Sequence, residues 1–233
     1  MEPRAVSASQ SQDTKAHFDR LSARWSLNYD SQFGTMRQRI AGFATALAEL
    51  GSGARLLDFG CGSGDITRAL LADGFAMTGI DLSPAMIAMA RQQPGADGIE
   101  WTVAQPGAVT LPFADASFDG ALASSVLEYH PDPAAQLREI ARVLKPGGIF
   151  AFTVPDMKHP LRIKEEKWRG LATSFLWPLL KLTPRHDYFE YLRVSVNRWP
   201  LEKWLATAQS ADFTAQPPAG REAPLAMIVA RKT

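Results

Sequence analysis

Several common classes of protein are excluded by what this chain lacks. Cysteine occurs once in 233 residues, as Cys61, which rules out an internal disulfide framework and an all-cysteine metal cage; no metal is expected, and a reducing compartment is. No apolar run reaches the roughly 20 residues that a membrane-spanning helix needs; the longest, Leu171 to Leu182, has 12. Net charge is almost absent, with 25 Lys+Arg against 24 Asp+Glu. That is too little for a chain whose main work is neutralising duplex phosphates, and no Asn/Asp-Pro-Pro-Tyr base-flipping motif is present. Met1 to Lys15 is polar, without the apolar segment of a secretory signal. These absences predict a soluble, cytoplasmic protein with no nucleic-acid partner, of a length that fits one domain with an appendage.

What is present is an alternation of strands and helices. Residues up to about 14 are rich in Ser, Gln and Ala and read as a frayed terminus. From Phe18 to Leu50 apolar residues recur at helical spacing, ending at Gly51-Ser52-Gly53. Five apolar runs follow, over Arg55–Phe59, Phe75–Ile80, Ile99–Ala104, Phe118–Ser124 and Ile149–Val154. They are continuous rather than alternating, as strands buried on both faces are. Between them the pattern predicts helices over Asp65–Ala72, Pro84–Gln93 behind the cap Ser83, and Pro133–Leu144. Such repeats predict a doubly wound α/β sheet. After Pro155 the composition shifts: residues 156–199 carry nine Lys/Arg against five Asp/Glu, with Trp168, Phe175, Trp177, Tyr188, Phe189, Tyr191 and Trp199. A helix over Pro200–Gln209, a strand near Phe213 and a strand over Leu225–Ala230 then resume the pattern. The expected divisions are 1–50, 51–155, 156–199 and 200–233.

The most informative stretch is Leu56-Leu57-Asp58-Phe59-Gly60-Cys61-Gly62-Ser63-Gly64-Asp65. A buried strand runs into three glycines at every second position, and a helix follows. Glycines there allow a tight turn and let a ligand lie against the main chain, and the helix start offers free N–H groups. A dinucleotide fingerprint, Gly-x-Gly-x-x-Gly, would place its third glycine at position 65; that position is Asp65, which argues against a nucleotide-dependent oxidoreductase. Asp58 points the same way, since a carboxylate repels a pyrophosphate and attracts a cation.

Asp58-x-Gly60-x-Gly62-x-Gly64 resembles the first motif of the class I S-adenosylmethionine-dependent methyltransferases. Further matches follow in order: Asp81 in Gly79-Ile80-Asp81-Leu82-Ser83, then Leu111-Pro112-Phe113, Ser117-Phe118-Asp119, and Arg142-Val143-Leu144-Lys145-Pro146-Gly147-Gly148. The nearest pattern is that of small-molecule enzymes similar to the ubiquinone/menaquinone-biosynthesis methyltransferases. The resemblance covers roughly residues 18–155. It implies a Rossmann-like, seven-stranded, mostly parallel doubly wound sheet, with a helical cap inserted after the fifth strand. Residues 1–50 would then be N-terminal helices and lid, 51–155 the cofactor-binding core, 156–199 the acceptor cap, and 200–233 the completion of the sheet. It implies S-adenosyl-L-methionine as cofactor and S-adenosyl-L-homocysteine as product. Asp58, Gly60, Cys61, Gly62 and Gly64 would hold the methionine portion, and Asp81 with Leu82 and Met86 the nucleoside. Gly107 and Ala108 would lie at the adenine edge, Ser124 at the end of the fourth strand, and Trp25 in the lid. Gly107 stands where relatives carry an adenine-binding Asp, so Ala108 N–H or Gln105 is expected to serve instead.

Methyl transfer to a small acceptor, on oxygen, is the expected activity; N- or C-methylation and a non-catalytic S-adenosylmethionine-binding protein are the alternatives. In-line displacement from a sulfonium depends on alignment, and a base matters only when the acceptor keeps its proton at neutral pH. Candidate bases are His130 on the loop after the fourth strand, His159, His186 and Tyr188 in the cap, with Glu128 and His17 beyond these. The aromatic cap suits a flat or apolar acceptor. The basic residues around Leu171–Leu182 resemble those of an interfacial helix, but Pro178 breaks the register, and no membrane contact is expected. Nothing in the sequence indicates an oligomeric state.

Overall fold

The computed structural model describes residues 3–22, 33–217 and 223–233; Trp25 lies outside them. The chain begins with α1 (Pro3–Ser22) and α2 (Phe33–Leu47), the latter ending in a 3-10 turn, Ala48–Leu50. The core follows as β1 (Arg55–Phe59), α3 (Asp65–Ala72), β2 (Ala76–Asp81), α4 (Pro84–Gln92), β3 (Glu100–Val103) and β4 (Phe118–Ser124). After a 3-10 turn, Leu127–Tyr129, come α5 (Pro133–Val143) and β5 (Leu144–Pro155). Three helices then stand apart from the sheet: α6 (Pro160–Ala172), α7 (Trp177–Leu180) and α8 (His186–Val194). α9 (Leu201–Gln209), β6 (Phe213–Gln216) and β7 (Leu225–Lys232) complete the chain.

The seven strands lie in the order β3-β2-β1-β4-β5-β7-β6. β1 to β5 are parallel, and β7 runs antiparallel to both β5 and β6. The central strands are mainly apolar because both faces are covered. Leu56 packs with Phe43, Leu47 and Leu70 on one side, while the adjacent Leu57 packs with Leu137, Ile140 and Phe150 on the other. The sheet order reverses between β1 and β4, and ligands bind at the carboxyl ends of strands beside such a switch.

Two local expectations are corrected. The first residues are not frayed: α1 starts at Pro3 because its far half is anchored, with Ser11, Thr14 and His17 buried. β5 begins at Leu144 rather than Ile149, and Lys145-Pro146-Gly147-Gly148 form an irregularity inside it; Phe118 pairs with Leu144 before the register shifts to Gly120 with Ile149. The apolar run 171–182, whose register Pro178 interrupts, is divided between two helices. α6 closes at Thr173, and Pro178 sits in the first turn of the short α7, the position in a helix where its missing N–H costs nothing.

Candidate active site

The three turn glycines all have positive φ, at 75°, 52° and 74°, but do different work. A Cβ on Gly60 would overlap the Val126 side chain, and one on Gly64 would overlap the Trp101 ring. Only Gly62 of the three faces open space. Gly60 and Gly62 line a cavity of about 1070 Å³ at the strand ends, and Gly64 does not. Gly64 is therefore a packing glycine, which lets the turn close on Trp101, rather than the ligand contact expected of it. The turn is held by Gly60 N–H and Cys61 N–H, which donate to Ile80 O at 2.8 and 3.1 Å.

Carboxyls converge on this turn. Asp81 accepts from Gly62 N–H at 2.9 Å and from Ser83 N–H at 2.8 Å, so it braces the glycine turn against the start of α4. Asp58 accepts from the Thr67 hydroxyl at 2.6 Å. Burial pushes Asp58 up to about 7 against that hydrogen bond, and the negative charges of Asp81 and Asp65 add to the rise. Burial also raises Asp81, against its backbone donors. Cys61 beside them is pushed well above its ordinary value by burial and then by Asp81 and Asp58, which keeps it a neutral thiol. Desolvated carboxyls at Asp58 and Asp81, each raised further by a neighbouring carboxylate, fit a ligand that carries positive charge.

Further along the cavity the wall is formed by Leu82, Met86, Val103, Gln105 and Gly107. Ala108 lines it as well, but its N–H donates to Gln105 O at 3.1 Å, closing a turn around Gly107. The free Ala108 N–H expected for an adenine ring is thus already engaged.

At the opposite end the loop after β4 enters the cavity with Ser124, Glu128, Tyr129 and His130. Asn197 fixes this loop from the cap. Its amide donates to Leu127 O at 3.0 Å and His130 O at 2.5 Å, and its N–H donates to Glu128 O at 2.9 Å. His130 Nδ1 lies 3.1 Å from Asp132 O; with the proton there, Nε2 is an acceptor. Burial lowers the His130 pKa, so the ring is neutral at neutral pH. Rings continue the wall as a chain: His17 and Phe18 have centroids 5.3 Å apart, Phe18 and Tyr129 5.3 Å, Tyr129 and Tyr191 6.4 Å, and Tyr191 and Tyr188 6.4 Å.

The cap and α1 close over this end. Arg162 on α6 donates to both Glu165 oxygens at 2.8 and 3.0 Å and to the Tyr191 hydroxyl at 2.6 Å. Arg198 reaches the same Glu165 at 2.5 Å.

Of the candidate bases, His130 and Tyr188 line the cavity, as do Glu128 and His17. His159 and His186 do not. His159 caps α6, with Nδ1 accepting from Leu161 N–H at 3.2 Å. His186 pairs with Asp187 at 2.9 Å and approaches Thr183 O at 3.2 Å. Arg39, Gln136, Arg162 and Glu165 line the cavity without having been singled out from the sequence. Arg162 and Glu165 carry a faint sequence signal, an ion pair at i, i+3; Gln136 carries none.

An open α/β sheet with one antiparallel strand next to its last edge, and a glycine turn beneath a cavity at the strand ends, is the arrangement of a nucleoside-binding fold. A family model described as a methyltransferase domain matches residues 57–152. Over 166 residues the chain is 34% identical to a demethylmenaquinone methyltransferase of Clavibacter sepedonicus, covering 67% of this chain and 65% of that one. It is 30% identical over 174 residues to a ubiquinone biosynthesis O-methyltransferase of Pseudomonas aeruginosa, covering 71% and 70%. The chain thus spans just under two thirds of the Clavibacter protein's length. Among solved structures, an S-adenosylmethionine-dependent methyltransferase of Thermotoga maritima superimposes with a TM-score of 0.66 at 20% identity, covering 94% of this chain and 99% of that one. The chain belongs to the class I S-adenosylmethionine-dependent methyltransferases of small-molecule type, and its cofactor is S-adenosylmethionine. The residues present fit that cofactor: Gly62 leaves room for a ligand against the backbone, and the carboxyls of Asp58 and Asp81 suit its ammonium and hydroxyl groups.

Proposed function

We propose that this chain transfers a methyl group from S-adenosylmethionine to oxygen on a small, flat acceptor. One observation carries the reading: the cavity that begins at the glycine turn runs without a break to the ring chain of Phe18, Tyr129, Tyr191 and Tyr188. Cofactor and acceptor can therefore meet beneath the β4 loop. The bound cofactor supplies an electrophilic methyl on a sulfur whose positive charge is lost on transfer.

The protein's part is alignment and exclusion of water. Asp81 orients the turn through Gly62 and Ser83, and Asp58 meets the cationic end of the ligand. The ring chain gives a flat acceptor a desolvated surface with fixed geometry, which is where most of the rate gain in a bimolecular displacement arises. Oxygen is favoured over carbon or nitrogen by the polar, proton-accepting groups that the β4 loop places in the cavity, among them neutral His130. The Pseudomonas relative is named as an O-methyltransferase.

The test has two parts. Calorimetry with S-adenosylhomocysteine should show binding that Asp81→Ala weakens 10-fold or more; no binding at near-millimolar ligand overturns the cofactor site. Transfer of radiolabelled methyl to a panel of phenols, alcohols, amines and carbon acids should be confined to hydroxyl compounds. Tight S-adenosylhomocysteine binding with no transfer to any acceptor would instead favour a binding protein that has kept the fold.

A further inference from the structure

The loop after β4 and the first turn of α5 present buried polar atoms that no group among the described residues satisfies. Glu128 is 2% exposed and Gln136 is 1% exposed; both line the cavity, and Glu128 Oε2 and Gln136 Nε2 have no hydrogen-bond partner. Ser124 Oγ, at the end of β4 and also lining the cavity, has no partner among the described residues either. An unsatisfied buried polar atom costs about 1–3 kcal/mol and is rare in a native core. Two such side chains beside one cavity imply a ligand group that completes them.

From these positions we infer that Glu128 is the catalytic base of this enzyme, taking the proton of an acceptor hydroxyl whose oxygen Gln136 also holds. The inference rests on the proposed O-methylation. In the step, the acceptor oxygen forms its bond to the methyl carbon as the carbon–sulfur bond breaks with its electron pair going to sulfur. The hydroxyl proton passes to Glu128 Oε2, and neutral S-adenosylhomocysteine leaves. The acceptor class is a neutral hydroxyl compound with a flat body, a phenol above all; a carboxylate acceptor would need no base.

The surroundings suit the role. Burial pushes the Glu128 carboxyl up to about 7, against relief from its own backbone N–H and from Arg162 on α6, Arg39 on α2 and Arg198. Tyr129 beside it is pushed well above its ordinary value by burial and then by Glu128, so it remains a neutral phenol. Glu165, which also lines the cavity, is committed to Arg162 and Arg198. A base near the working pH is the most effective one, whereas burial weakens His130 as a base. Glu128 is held in place through its backbone carbonyl by Asn197, and its Oε2 is committed to no partner among the described residues.

The experiment compares wild type, Glu128→Gln, Glu128→Asp and His130→Asn. Radiolabelled methyl transfer to a panel of phenols, aliphatic alcohols, amines and carboxylic acids is measured from pH 5.5 to 9, together with S-adenosylhomocysteine calorimetry and carbon-13 titration of glutamate-labelled protein. In wild type, phenol methylation should rise with pH to a plateau with a midpoint near 7, matching a glutamate resonance that is missing from Glu128→Gln. That variant should bind S-adenosylhomocysteine within threefold of wild type, methylate phenols at least 100-fold more slowly, and lose the pH limb. Glu128→Asp should recover part of the rate, and His130→Asn should keep the limb. Glu128→Gln within threefold of wild type, or a limb that moves with His130 instead, overturns the assignment and leaves O-methylation standing. Transfer to amines or carboxylates alone, or to nothing, overturns both.

Discussion

His17 Nδ1 on α1 lies 2.9 Å from Glu190 Oε2 on α8, joining the first helix of the chain to the cap. Arg20 pairs with the same carboxylate, and Gln10 donates to Val194 O at 2.9 Å. On its other side α1 is tied to the cofactor half, where the Ser83 hydroxyl donates to Asp19 at 2.5 Å. Ser11, Thr14, His17, Phe18 and Leu21 of α1 all line the cavity, so this helix is a wall of the site fastened at two ends.

Glu190→Ala is expected to release the cap end of that wall. Partly buried charged hydrogen bonds are worth about 1.5–3 kcal/mol each, discounted here because Arg20 is half exposed. A loss of about 1 kcal/mol corresponds to roughly fivefold weaker binding of S-adenosylhomocysteine, with faster proteolytic cleavage within α1. Unchanged affinity and an unchanged cleavage pattern would show that the fastening is incidental.

The turn glycines separate by what lies opposite each. Gly64→Ala must push a methyl into Trp101 while holding positive φ; strain and overpacking together predict a loss of about 2–4 kcal/mol, read as a lowered urea midpoint. Gly62→Ala meets nothing in the protein, so it should lose only the roughly 1–2 kcal/mol of a left-handed alanine. Its methyl stands on the cavity wall, however, and S-adenosylhomocysteine affinity should fall at least 10-fold. Stability losses of equal size in the two variants would contradict this division of labour.

The sheet was readable from the sequence because the inner strands β1, β2, β4 and β5 are largely buried, which makes them mainly apolar runs that local composition marks; the edge strand β3 is only partly buried. The Gly-x-Gly-x-Gly spacing marked one end of the cavity, and Asp58 and Asp81 line it there. The acceptor end was much less legible. Gln136 faces the cavity only because α5 packs Leu137, Ile140 and Ala141 against the sheet, and a glutamine on a helix has no periodicity of its own. His159 and His186 drew attention as histidines, yet their local work is capping α6 and pairing with Asp187. Residue type suggests chemistry; only the tertiary contacts decide which imidazole faces a cavity.

Asn197 shows how far such positioning depends on a residue with no chemical signature. It is buried at 7% exposure and holds Leu127, Glu128 and His130 through three hydrogen bonds. Asn197→Ala removes two of these; Leu127 O keeps the bond from His130 N–H, while the partly buried His130 O loses its side-chain donor, for an expected loss of about 1–3 kcal/mol. Asn197→Asp replaces the amide donor with an acceptor against two carbonyl oxygens and should be worse. If the loop is positioned this way, Asn197→Ala should lower kcat for an accepted phenol more than it raises the dissociation constant of S-adenosylhomocysteine. Equal effects on both would indicate general loosening of the fold.

Asp58 and Glu128, raised along with Asp81, also determine how stability responds to pH. Asp58 and Glu128 titrate near 3.8 and 4.5 in an unfolded chain and at about 7 in the folded one. Between those values the unfolded state has released protons that the folded state still binds, so stability falls as pH rises from about 4.5 to about 7. Each group contributes about 1.4 kcal/mol per pH unit across that window, and above it the full loss is present. S-adenosylhomocysteine, whose ammonium would sit near Asp58, should flatten its share of the slope. Glu128→Gln should remove the other share without ligand, so the variant gains on wild type as pH rises and is the more stable protein at pH 8. Urea titrations at pH 5, 6, 7 and 8 read this directly. Parallel stability curves for the two proteins would mean that Glu128 titrates alike in the folded and unfolded chains, and that the cavity wall around it is open to water.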